Sequence, residues 1–223
     1  MAFQSVHGAH FGEAWDSLIA LVAAEGSGNE PFATTLAGAS ATTRDLADAA
    51  HCWCMLHARH PGVLEFAQGR ARHPVVEAWL AEAVTGFSRE RDGIVRLVAA
   101  AGPLPSTPGQ AESESAIAGQ RHALDMLAQS DRAGVAIGAA MALVLDWPAI
   151  RQVFDAGARR MGLQVIETAL PAARDSATVV AALAEPAAFE RAMLFGASQT
   201  LAQHRALWQL LEARAEARRH HPG

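Results

Sequence analysis

The chain has no tyrosine and no lysine, and only two cysteines in 223 residues. Without a lysine amine there is no Schiff-base or pyridoxal chemistry, and no GxxxxGK[ST] phosphate loop is possible. Cys52 and Cys54 stand two positions apart, about 200° around a helix, so they point away from each other. Such sparse thiol usage suits a reducing compartment, and a cytoplasmic location is expected. No Gly-x-Ser-x-Gly elbow offers a nucleophile. Cations are also scarce: 18 basic residues stand against 23 acidic ones, for a net charge of −5. In the first fifty positions Glu13, Asp16, Glu25, Glu30, Asp45 and Asp48 face Arg44 alone. Duplex binding draws on clustered cations, so no nucleic-acid partner is expected. Residues 1–11 lack a basic stretch leading into an apolar one, which argues against a signal peptide. The longest strongly apolar uncharged run, 133–145, falls short of the roughly 20 residues a membrane span needs, so no membrane association is expected.

What the chain does have is apolar material, 51 % of its residues, spaced at i, i+3, i+4 and i+7. Alternation of period two is nearly absent. The expected fold is all-α: a single helical domain over 1–223, a bundle of seven to nine helices, with 102–109 as the one candidate subdivision. Helices are predicted over 10–25, 42–57, a short one opened by Pro61, 74–101, 108–129, 131–145, one started by Asp146-Trp147-Pro148 and closing at Gly162, 175–185 and 186–218. Pro suits the first turn of a helix because its fixed φ is already helical and its missing N–H is not needed there. Gly134 and Gly138, one turn apart among alanines, predict a central helix pressed closely against another backbone. Residues 163–171 are ambiguous, since Val165 and Ile166 suit extended chain.

The densest set of ligand-type side chains is His51, Cys52, Cys54, His57 and His60. Thiolate and imidazole together suit zinc or a similar ion, and His51, Cys54 and His57 are the candidate metal ligands. No cofactor is required by the sequence. Successive members of that trio step by about −60° around a helix, so Cys54 can share an ion with either neighbour but not simply with both. The plainer alternative is a buried helix whose cysteines behave as small apolar residues. The motif Ala-Arg-His-Pro occurs twice, at 58–61 and 71–74. Each copy puts Arg and His at a helix start, where free N–H groups and the dipole attract anions. Arg59, His60, Arg72 and His73 are therefore candidate anion-binding residues, against the alternative of surface arginines paired with Glu65, Glu77 or Glu82. His122 and Asp125 could hydrogen-bond on one helix, and His204 lies alone among Leu201, Leu207 and Trp208. Glu-x-x-His, the signature of carboxylate-bridged di-iron bundles, is absent.

The stretches Leu56-His57-Ala58-Arg59-His60-Pro61-Gly62-Val63 and Gly102-Pro103-Leu104-Pro105-Ser106-Thr107-Pro108-Gly109-Gln110 resemble segments of an uncharacterised family of bacterial all-helical proteins. That resemblance implies a helical fold and transfers no activity. Tetracycline-repressor-like regulators are similar in size and helicity, but the acidic N-terminal region lacks their basic helix-turn-helix. With five tryptophans and no catalytic set, the chain is expected to be a non-enzymatic soluble protein acting through self-association or partner binding, with a homo-oligomer as the expected state. The alternatives are a metal- or anion-binding enzyme or sensor built on residues 51–60, and a carrier of a small apolar ligand.

Overall fold

The computed structural model describes residues 11–183 and 187–220. Expectations for the first ten residues and for Glu185 and Pro186 lie outside them. Among the described residues there are nine α-helices and no strand, forming one all-α domain. They are α1 (Glu13–Glu25), α2 (Pro31–Ala37), α3 (Thr43–His57), α4 (Val63–Arg70), α5 (Pro74–Ala101), α6 (Gln110–Ala128), α7 (Val135–Arg160), α8 (Ala173–Leu183) and α9 (Ala187–His220), with a 3-10 turn at Ser27–Asn29.

Local chemistry sets most of the boundaries. The Thr42 hydroxyl accepts the Asp45 N–H at 3.1 Å and starts α3. Pro31 and Pro74 occupy the first turns of α2 and α5. The short α2 has no strong apolar period of its own and was not expected from the sequence. It buries Ala33 and Leu36 against α7.

α7 runs through the middle of the domain, touching α2, α3, α4, α5, α6 and α9. Of the described helices it alone is long and apolar enough to cross a membrane, yet most of it is buried inside the protein. Its tightest neighbour is α9. A Cβ at Gly138 would run into the Met193 carbonyl, and one at Gly196 into the Val135 carbonyl. The small-residue spacing thus marks a real backbone-to-backbone crossing.

Two expectations need correction. The break at Asp146-Trp147-Pro148 does not exist, and Pro148 lies inside a continuous α7. A proline there costs one helical hydrogen bond, but Asp146, Trp147 and Ile150 around it are all buried, and that packing carries the helix through. The helix predicted from 131 begins only at Val135, where Gly134, at φ 99°, turns the chain into it. Residues 163–171, which the sequence leaves ambiguous, form neither helix nor strand. They lie across α5 where Gly86 leaves no room for a Cβ beside the Ala169 carbonyl and Ile166 sits over Gly93, and Arg151 donates to the Ile166 carbonyl. The proline-glycine loop at 102–109 is bonded to its surroundings. Its Thr107 hydroxyl accepts from Arg218 at 3.0 Å, and its Gly102 carbonyl is 2.8 Å from His51 Nε2.

Candidate functional site

The rotation of α3 distributes the thiol and imidazole groups instead of gathering them. His51 faces the Gly102 carbonyl, Cys54 is half-buried, and His57 is buried. Burial pushes the Cys54 thiol above its ordinary value. The Cys52 thiol is pushed up to about 12 by burial and the nearby Asp48 carboxylate. Among the described residues no three or more His, Cys, Asp or Glu side chains stand together as metal ligands.

The two Ala-Arg-His-Pro copies lie at opposite ends of α4, about 12 Å apart along its axis. At the first, His60 is exposed and 3.4 Å from Glu65. Burial alone would raise the Glu65 carboxyl, but hydrogen bonds from Arg91 and the Gly62 N–H bring it down to about 2. At the second, Arg72 and His73 reach the rim of a cleft of about 410 Å³ between α4, α5 and α7. His73 Nδ1 caps α5 by accepting the Val75 N–H at 3.3 Å. Arg70 and Arg132 join this rim, which carries Asp131 as its one acidic member. Arg70 is ion-paired with Asp131, whereas the Arg132 guanidinium has no partner among the described residues. The floor is apolar: Ala67, Val76, Leu80, Ala136, Ile137 and Phe189. α7 begins in this cleft without a side-chain cap, and the Ala136 and Ile137 N–H groups have no helical acceptor there. Cationic rim, positive helix end and greasy floor coincide.

A second polar constellation sits in the buried core. His57 Nε2 is 3.0 Å from His204 Nε2, and His204 Nδ1 is 2.7 Å from Asp146 Oδ2. Asp146 also accepts the Ser27 N–H at 2.6 Å and the Ser27 hydroxyl at 2.7 Å, and that hydroxyl in turn accepts the Trp208 N–H at 2.9 Å. Trp53 stacks on His57 with centroids 5.6 Å apart, and Trp147 and Phe87 meet the same imidazole edge-on. Burial, then His204 and Arg91, hold His57 well below the usual imidazole range. In the sequence His204 lies alone among apolar residues, Asp146 stands before a Trp-Pro pair, and Ser27 sits between two glycines. No local pattern joins them, because the bonds span 58 to 181 positions.

The other buried charges are closed ion pairs. Asp48 accepts from Arg214 at 2.7 Å and from Arg218 at 2.5 Å. Glu90 accepts from Arg151 at 2.7 Å and from the Trp147 N–H at 3.0 Å. The buried carboxylates Asp48, Glu90 and Asp146 are thus each engaged by a cation or an N–H donor. Large exposed apolar side chains are few, Val75, Val95, Met126 and Phe195, and they are spread over α5, α6 and α9.

A sequence model for a family of unknown function, DUF6975, matches residues 22–219. No curated protein matches the chain, and no solved structure does.

Proposed function

The chain belongs to the DUF6975 family, whose function is unknown, and we propose that it is a non-enzymatic binding protein for a small amphipathic anion held in the α4–α5–α7 cleft. The observation that carries this reading is the cleft itself, where Arg70, Arg72 and Arg132 rim an apolar floor in a space of about 410 Å³. That volume lies within the roughly 300–1,000 Å³ typical of small-molecule sites, which combine mostly apolar walls with a few convergent polar groups. Arginine suits a carboxylate or phosphate head because its planar fork gives two parallel hydrogen bonds. The uncapped start of α7 adds two N–H donors and the positive end of a helix of 26 residues. Depressions of about 650 and 590 Å³ elsewhere on α5 are shallower and lined by both signs of charge, so they lack this polarity.

The reading supports binding over catalysis. The His57, His204 and Asp146 groups are buried and mutually bonded, and of the acid and base groups on the cleft rim His73 Nδ1 caps α5 while Asp131 is paired with Arg70.

Titration calorimetry and thermal unfolding with decanoate and octyl phosphate, against inorganic phosphate and decanol, test the proposal. Head and tail together are expected to bind at least tenfold more tightly than either alone. At a hundred times its Kd such a ligand stabilises the fold by about 2.7 kcal/mol. Equal, negligible shifts for all four compounds would end this reading.

A further inference from the structure

A different part of the molecule supports an inference that does not rest on the cleft. We infer that Asp146, His204 and His57 form a buried proton relay, in which a proton taken up at His57 leaves its charge on His204 beside Asp146.

Counting protons along the hydrogen bonds leads there. Asp146 accepts from the Ser27 N–H, the Ser27 hydroxyl and His204 Nδ1. A carboxylate only accepts, so His204 Nδ1 carries its hydrogen. The two Nε2 atoms, 3.0 Å apart, then need one hydrogen between them, on one nitrogen facing the other's lone pair. In the neutral arrangement His57 Nε2–H donates to His204 Nε2, and His57 Nδ1 is bare. When a proton adds to His57 Nδ1, the shared hydrogen passes from His57 Nε2 to His204 Nε2. One N–H bond forms at His57 Nδ1, one breaks at His57 Nε2 and one forms at His204 Nε2. His57 ends neutral in its other tautomer, and His204 is an imidazolium between the Asp146 carboxylate and the His57 lone pair. No hydrogen bond is lost.

The surroundings give the relay a direction. His204 and Asp146 are enclosed, at 0 % and 1 % exposure, whereas His57 retains 5 %. His57 lines a cavity of about 10 Å³ with Arg59, Arg121 and Asp125, close to the room one water molecule needs. Of the charges facing the pair, Arg91 of α5 is matched with Glu65 of α4, Glu90 of α5 with Arg151 of α7, and Arg205 of α9 with Glu25 of α1, while the Glu30 carboxyl before α2, raised by burial, lies near Arg205, Glu212 and Asp146. On α6, Asp125 lies near Arg121 and Arg59. Asp146 has no arginine among the described residues, so an imidazolium at His204 is the cation that can neutralise it. A second proton would place hydrogens on both Nε2 atoms and break the bond between them, in keeping with the depressed basicity of His57.

Imidazole nitrogen NMR of the labelled full chain across a pH titration tests the relay. The expected result is one shared midpoint at which the His57 hydrogen moves from Nε2 to Nδ1, His204 Nε2 gains one, and His204 Nδ1 stays protonated throughout. Separate midpoints for the two rings, a His57 imidazolium in the folded chain, or no change before acid unfolding would each overturn it. Asp146→Asn removes the negative end, and the joint uptake is expected to disappear with His57 left in its Nε2–H form. Uptake unchanged in that variant would also overturn the relay. Should Asp146→Asn fail to fold, the wild-type titration still decides.

Discussion

The core chain from Ser27 to His57 and the cleft at the start of α7 are made of similar side chains and behave in opposite ways. In the core every carboxylate and imidazole has been given a partner, since an unpaired polar group away from water costs far more than its bond returns. At the cleft the cations are kept wet, and the first turn of α7 keeps its N–H groups uncapped. The contrast teaches that a satisfied polar network sets stability and shape, while donors left over beside an apolar floor set what the protein can bind.

Removing the charge at the centre of the core should have the largest effect. Asp146→Ala strands the Ser27 N–H and hydroxyl and the His204 N–H, and a loss of about 3–5 kcal/mol is expected by urea unfolding. A loss below about 1 kcal/mol would break the contrast, because the chain would then contribute no more than a surface pair. Next comes the crossing that places both regions. Gly138→Ala drives a methyl into the Met193 carbonyl and should cost about 1–3 kcal/mol, read as a lower urea midpoint at unchanged slope.

Acid should act on the buried region with a definite sign. His57 and Glu65 both have folded-state values below their ordinary ones. The unfolded chain therefore binds protons that the folded one refuses, and stability falls as pH drops. The His57 contribution is present above the ordinary histidine value of about 6.5 and fades below it. That of Glu65 is present above its ordinary carboxyl range and fades toward about 2. Thermal midpoints measured from pH 7 to pH 3 should decline steadily. A midpoint that rises on acidification would contradict the assignment of either group.

The smallest change in stability belongs to the cleft. Arg132→Glu should shift unfolding by no more than about 0.5 kcal/mol, as for an exposed residue, while weakening decanoate binding at least tenfold. If that substitution unfolds the protein, the rim is structural and the comparison between the regions fails.

Much of the fold was legible in the chain. Thr42 before α3, Pro74 at the start of α5 and the apolar period along α5 are local signals, and each helix stands where they put it. Gly134 and Gly138 also announced the close crossing. Pro148 misled, because local geometry argued for a break where burial of Trp147 and Ile150 overrode it. Of the four candidate anion residues, Arg72 and His73 reach the cleft, while His60 lies beside Glu65 and Arg59 near Asp125 at the other end of α4. Arg70 and Arg132 carry no local signal, since an isolated arginine has no signature. The His57–His204–Asp146 chain could not have been found, for its members share no spacing.

By itself the amino-acid order determined that this protein is helical, where most helices start, and which broad chemistries lack their residues, because those properties depend on neighbours a turn or two apart. Only the tertiary structure decided which histidine meets which, and that Arg70 and Arg72 come to lie at the start of α7. Those contacts join positions more than fifty residues apart, and they exist only once the apolar faces have packed and chosen which polar groups to enclose.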